Sequence, residues 1–134
     1  MPWIAPAART KPSHLGVKDG VLASCPSMPN CVSSQASVSS QKIDPIPFVG
    51  SILSAKLELV NILKKDSKSS IITETENYLH VEYRAFIFID DVEFYFSKEE
   101  SVIHLRSASR VGYSDMGANK RRAKAISTAF SLQQ

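Results

Sequence analysis

The run Arg106-Ser-Ala-Ser-Arg110-Val-Gly-Tyr-Ser-Asp115-Met-Gly-Ala-Asn119 gathers two arginines, three serines, an aspartate and an asparagine into one stretch. Arginine carries a planar fork of donors that matches a carboxylate or phosphate bidentately. Ser107, Ser109, Ser114 and Asn119 add hydroxyl and amide groups, and Arg122 follows one helical turn later. Near Ser114 a helix N-terminus would add free backbone N–H groups, which favour anions. A plain strand-to-helix junction needs only a turn residue and a cap. So many directional groups therefore point to one of two things. Either the run binds a small anionic or polar ligand, or it is a polar network that locks the fold. His80 and His104, with Glu82 and Glu93, supply the residue types for a third reading, a hydrolase or transferase using acid–base chemistry. Arginines lining an open cavity would favour the first reading. Arginines fully paired to carboxylates would favour the second. A histidine bonded to a carboxylate in a cleft would raise the third.

Cys25 and Cys31 bracket five residues, two of them proline. This is neither the C-x-x-C of a redox enzyme nor a zinc ribbon, which needs a second pair. A disulfide closing a small loop is the leading reading, and two reduced, partly buried thiols are the other. The first goes with an oxidising compartment, an organelle or the extracytoplasmic space. The second goes with the cytoplasm. His80 and His104 could complete a Cys₂His₂ set, but they read better as members of cross-strand pairs, so no metal and no cofactor are expected. Asp90-Asp91 is a carboxylate pair. Adjacent strand positions point apart, so a shared proton is not expected, and one of the two reads as the cap of a turn. No G-x-S-x-G, H-E-x-x-H or phosphate loop is present.

The elements that must carry these residues are written in two parts. All seven prolines lie at or before Pro47. Residues 1–18 read as a flexible tail without the apolar core of a secretory signal. Residues 19–50 read as an extended Pro/Ser-rich leader to a single domain over 19–134. Helical spacing of Ile52, Leu59, Val60 and Leu63 predicts a helix over 51–65, capped by Ser51. Alternation of β-branched and aromatic residues then predicts strands near 70–75, 78–89, 92–97 and 101–107. A second helix is expected over 115–132, with Met116, Ala123, Ile126 and Phe130 as its apolar stripe. The fold class is α+β, a two-layer domain with an antiparallel sheet of about four strands, one helix before it and one after.

The alternation puts Leu79, Val81, Tyr83, Ala85, Ile87, Val92, Phe94, Phe96, Ile103 and Leu105 toward the helices. Tyr78, His80, Glu82, Arg84, Glu93, Tyr95, His104 and Arg106 share the other face. That face reads as a solvated surface of cross-strand pairs or as a concave polar surface rimmed by the leader. With Glu99-Glu100 as the tip of the last hairpin, Glu93 should oppose Arg106, and Tyr95 should oppose His104. Arg110 should turn away toward Asp115 and Asn119.

Four stretches together resemble the family called domain of unknown function 1499. They are Cys25-Pro-Ser-Met-Pro-Asn-Cys31-Val-Ser-Ser, Ile43-Asp-Pro-Ile, Asp90-Asp91-Val-Glu93-Phe, and the run from Arg106 through Arg122. The resemblance spans about residues 15–130. It implies a shared fold, and the family has no established activity, cofactor or ligand to lend. Ala118 stands where the family pattern has a β-branched residue, which bears on packing.

Bulk composition excludes other classes. A formal net charge of +3 is unevenly placed. Residues 51–100 hold six Lys/Arg against ten Asp/Glu, and residues 101–134 hold six against one. The short basic cluster has no interleaved aromatics, so nucleic acid is not an expected partner. No apolar stretch approaches the ~20 residues of a membrane span, which reads as a soluble domain.

Overall fold

The structure is a computed structural model that describes residues 3, 4, 6–112 and 114–134. Tyr113, inside the polar run, lies outside the described residues. So do residues 1, 2 and 5 of the expected tail.

Two helices lie on one face of an antiparallel sheet. Helix α1 spans Ile52–Lys64, and helix α2 spans Ala118–Ser131. Ser51 caps α1 as expected, its side chain accepting from Ser54 N at 3.0 Å. The last residues of the tail form β1 (Val17–Lys18), and the leader contributes β2 (Val21–Leu22), β3 (Cys31–Ser33) and β4 (Ile46–Pro47). Strands β5 (Ser69–Glu74), β6 (Tyr78–Ala85), β7 (Phe88–Ser97) and β8 (Val102–Ser109) follow α1.

The main sheet runs β3-β8-β7-β6-β5, and β4 also pairs with β8. It has six strands, not the expected four. The two extra strands come from the leader and lie along the outer edge of β8, with Ser33 opposite Arg106 and Ile46 opposite Ile103. Each is too short for alternation to register in the sequence. Pro47 is tolerated there because an edge strand needs no inward N–H at every position.

The β6–β7 hairpin also differs from expectation. Its turn is Phe86-Ile87, between paired Ala85 and Phe88, and Asp90-Asp91 lie within β7. Ala85 and Ile87 therefore sit at the hairpin end and not in the core. Helix α2 begins three residues later than expected. Met116 precedes it with φ 55° and is 83% exposed, so it is not part of the buried stripe.

The core follows the predicted pattern otherwise. Leu79, Val81, Val92, Phe94, Phe96, Ile103 and Leu105 meet Ala55, Leu59 and Leu63 of α1 and Ala123, Ile126 and Phe130 of α2. Burial of each large apolar side chain contributes about 1.5–3 kcal/mol. Phe48 packs its ring edge against Phe96 at 6.4 Å between centroids.

The opposite face is neither solvated nor an open concave surface. The leader lies across it. Gly16 N donates to Glu93 Oε2 at 2.7 Å, and Arg106 Nη2 donates to Ser24 O at 3.3 Å. As a result His80, Asp91, Glu93 and Arg106 are 0–2% exposed.

Candidate functional site: two buried polar networks

Successive residues of a strand face opposite sides, and the polar run exploits both. On the leader side, β6, β7 and β8 bring together Tyr78, His80, Glu82, Asp91, Glu93, Arg106 and Arg110. Glu93 opposes Arg106, and Tyr95 opposes His104, as expected for a hairpin tip at Glu99-Glu100. Tyr78 Oη donates to Glu93 Oε2 at 2.5 Å. The Glu93–Arg106 contact is loose, with Oε1 and Nη1 3.7 Å apart. Glu93 Oε1, Arg106 Nε and Arg106 Nη1 are buried and lack a hydrogen-bond partner among the described residues. Burial raises the Tyr78 phenol, and the bond to Glu93 raises it further. Burial also lowers the Arg106 guanidinium, with Glu93 and Asp91 opposing that.

Arg110 does not turn toward Asp115 and Asn119. Its backbone N–H bonds Ile89 O at 3.1 Å, so sheet pairing continues past β8 and Arg110 keeps the face of Arg106. Its Nε and Nη2 hold both oxygens of Asp91, at 3.0 and 2.6 Å, and Nη2 also reaches Glu82 at 2.9 Å. His80 Nε2 lies 2.8 Å from Asp91 Oδ1. Burial pushes the Asp91 carboxyl up, but hydrogen bonds from His80 and Arg110 outweigh it and leave Asp91 below its ordinary value. Burial pulls Arg110 down, and its bonds to Asp91 and Glu82 carry it above the usual range. His80, Glu82 and Asp91 lie close enough to share a cation. The guanidinium of Arg110 already supplies positive charge to both carboxylates.

On the helix side, Asn119 is fully buried at the start of α2. Its Oδ1 accepts from Ser107 Oγ at 2.6 Å and from Arg122 Nη1 at 2.9 Å. Its Nδ2 donates to Asp115 Oδ2 at 2.6 Å, to Ser109 Oγ at 3.1 Å and to Asn30 O at 3.3 Å. Asp115 takes the capping role, accepting from Gly117 N at 2.7 Å and Asn119 N at 3.1 Å. Burial pushes its carboxyl up, and hydrogen bonds from the Asn119 side chain and backbone more than offset this. Arg122 pairs with Asp90 at 2.8 Å and stacks 4.7 Å over the Tyr83 ring. Burial raises the Asp90 carboxyl, and Arg122 opposes but does not cancel it. Burial also pushes the Tyr83 phenol up to about 12.

Cys25 and Cys31 stand at disulfide distance, with sulfurs 2.07 Å apart. The loop they close carries Asn30, which anchors the second network. Asn30 O accepts from Ser109 N at 2.9 Å, and Asn30 Nδ2 donates to Gly112 O at 2.6 Å.

His104 sits apart from both networks. Its Nδ1 lies 2.9 Å from Ser34 Oγ and its Nε2 lies 2.9 Å from Glu100 Oε1. This has the composition of a nucleophilic triad. Ser34, however, is buried, and its oxygen already accepts from Leu105 N at 3.0 Å. The arrangement pins the leader to β8 and leaves no accessible nucleophile. The hydrogen bond from His104 holds the Glu100 carboxyl below its usual range.

Of the candidate ligand-binding residues, Ser114 and Asp115 line an open cleft of about 540 Å³, beside Cys31. Met28, Pro29, Gln41 and Lys120 line it with them. Ser114 Oγ accepts from Met116 N at 3.3 Å. Sequence reasoning missed Ser34 as the partner of His104, and it missed Asn30, Asp90 and Asp91 as members of the two networks. Parity held the signal for the last two. Val92, Phe94 and Phe96 face the helices, so Asp90 must face them too, and Asp91 must join Glu93.

The family model described as "Protein of unknown function (DUF1499)" matches residues 21–130, and the chain belongs to that family. No curated protein matches the chain.

Proposed function

We propose that this member of the DUF1499 family is a non-enzymatic structural or interaction domain whose run 106–119 locks the fold. One observation carries the reading. Arg106 is buried beneath the leader, and the Arg110 side chain, only 3% exposed, is held by two carboxylates on neighbouring strands. Donors already committed to internal carboxylates do not offer a fork to an outside anion. The buried Ser34 weighs against the hydrolase reading, because a nucleophile must reach its substrate. The Cys25–Cys31 pair fits residence in an oxidising compartment.

A second reading rests on its own observation. Among the described residues, the three buried polar atoms Arg106 Nε, Arg106 Nη1 and Glu93 Oε1 have no hydrogen-bond partner. Such atoms are destabilising unless water or a ligand satisfies them. A small molecule carrying both a donor and an acceptor would fit between a guanidinium and a carboxylate.

Thermal melts separate the two. For a locking network, Arg110→Gln lowers the melting temperature by roughly 10 °C or more, because it leaves Asp91 partly unpaired in the interior. Phosphate, sulfate, citrate, urea and glycine then leave the parent melt unchanged at millimolar concentration. A saturable upward shift with any one of them, lost in Arg106→Gln, would establish the ligand reading instead.

A further inference from the structure

The β6–β7 hairpin closes on the two residues Phe86 and Ile87. Phe86 has φ 59° and is 86% exposed, and Phe88 beside it is 37% exposed. Of the two turn residues, only the first has a positive φ. That is the pattern of a type II′ turn, whose first position belongs to glycine. A bulky side chain in left-handed backbone is strained. A solvent-facing phenyl ring returns no burial energy for that strain. The tip therefore works against the fold twice, in backbone and in exposure, and such sites concentrate where a chain has another task.

The surroundings state what the tip meets. Antiparallel pairing of β5 with β6 brings the start of β5 beside the end of β6, with Ser69 opposite Tyr83. The α1–β5 connection thus lies at the same end of the sheet as the tip. Arg84 N bonds Lys68 O at 2.9 Å, which joins the connection to the strand leading into the turn. Lys64, Lys65, Lys68 and Arg84 are all exposed there, and among the described residues none of the four makes an ion pair. Asp66 is the acid between them, and Glu82 is bound to Arg110. An exposed apolar point with four such cations at the same end of the sheet matches an anionic lipid surface. The rings enter the headgroup–acyl boundary, and the lysines and arginine meet phosphate.

We propose that the Phe86–Phe88 hairpin tip docks the protein on anionic membranes, with Lys64, Lys65, Lys68 and Arg84 as its electrostatic collar. This builds on the non-enzymatic reading but uses a part of the molecule that the buried networks do not touch. The two can therefore fail separately.

Co-sedimentation of the full chain with vesicles tests it. The protein pellets with vesicles of phosphatidylcholine plus phosphatidylglycerol, and far less with phosphatidylcholine alone. Raising salt to 0.5 M weakens binding, because exposed charges are then screened. Phe86→Gly lowers vesicle affinity by about tenfold, as removal of one inserted aromatic side chain requires, while the melting temperature holds or rises. Arg84→Glu with Lys68→Glu lowers affinity again without lowering the melt. No pelleting of the parent with anionic vesicles overturns the proposal. So does pelleting that Phe86→Gly leaves undiminished. Self-association of the parent that Phe86→Gly abolishes, with no vesicle binding, overturns it in favour of a protein interface.

Discussion

Asp90 and Asp91 are neighbours in β7, yet their carboxyl groups lie on opposite faces of the sheet and shift in opposite directions. Asp90 faces α2, where burial raises it against the pull of Arg122. Asp91 faces the leader, where bonds from His80 and Arg110 lower it despite burial. Asp115 is lowered as well, by the amide groups that it caps.

These directions set the acid response. A lowered carboxyl contributes stability that is present above its unfolded value, ~3.9, and is lost as pH falls through the folded one. A raised carboxyl does the reverse, since protonation of Asp90 relieves a buried charge. The parent should therefore lose stability as pH falls below about 4. Asp91→Asn should flatten that loss, and Asp90→Asn should steepen it. Melting temperatures between about pH 3 and pH 7 check the pair. Equal slopes for the two variants would contradict the assignment of faces.

Asn119 is the densest node of the helix-side network. Its amide satisfies Ser107, Ser109, Asp115, Arg122 and the Asn30 carbonyl, and the residue is fully buried. Asn119→Ala strands several of these groups away from water, and each unsatisfied group costs about 1–3 kcal/mol. The expected loss of roughly 3 kcal/mol lowers the melting temperature by about 10 °C. Differential scanning calorimetry measures it. A variant melting within 2–3 °C of the parent would mean that water replaces the amide.

The core and the strand faces were legible in the sequence because alternation and helical spacing are strong over eight or more residues. The opposition of Glu93 and Arg106 followed from placing the tip of the last hairpin at Glu99-Glu100. The edge strands β3 and β4 were not legible, because runs of two or three residues carry no period. The hairpin turn was misplaced because Phe86 bears no turn signal, whereas Asp90-Asp91 does. That slip hid both aspartates from the networks, and Arg110 was sent toward the wrong partner because Gly112 reads as the end of the strand, whereas pairing continues to Arg110. Asn30 and Ser24 act through backbone carbonyls, which residue type does not reveal.

Arg106 and Glu93 illustrate how a buried pair can be weak and still hard to break. They are 2% and 0% exposed with 3.7 Å between the nearest charged atoms. Three of their polar atoms lack partners among the described residues, so desolvation is poorly offset. Removing one partner leaves a lone buried charge. Arg106→Met and Glu93→Leu alone should each destabilise by about 3–5 kcal/mol. The double variant should recover most of that loss, although Tyr78 Oη and Gly16 N lose their acceptor. Urea melts of the two singles and the double form the test. Strict additivity would show that the pair does not interact.

Cys25 and Cys31 join the stability of the leader to that of α2. They close a short loop that holds Asn30 in place, and Asn30 O accepts from Asn119 and Ser109. The chain-entropy model gives about 2 kcal/mol for so short a loop. Reduction, or Cys25→Ser with Cys31→Ser, should therefore lower the melting temperature by roughly 8 °C. The loss should shrink in an Asn119→Ala background, because the loop then has less to hold. Alkylation under non-reducing conditions, read by mass spectrometry, should find neither thiol free. Full additivity of the two losses would mean that the disulfide acts only on the unfolded chain. A sub-additive result would place Asn30 on the path by which the bond stabilises the helix.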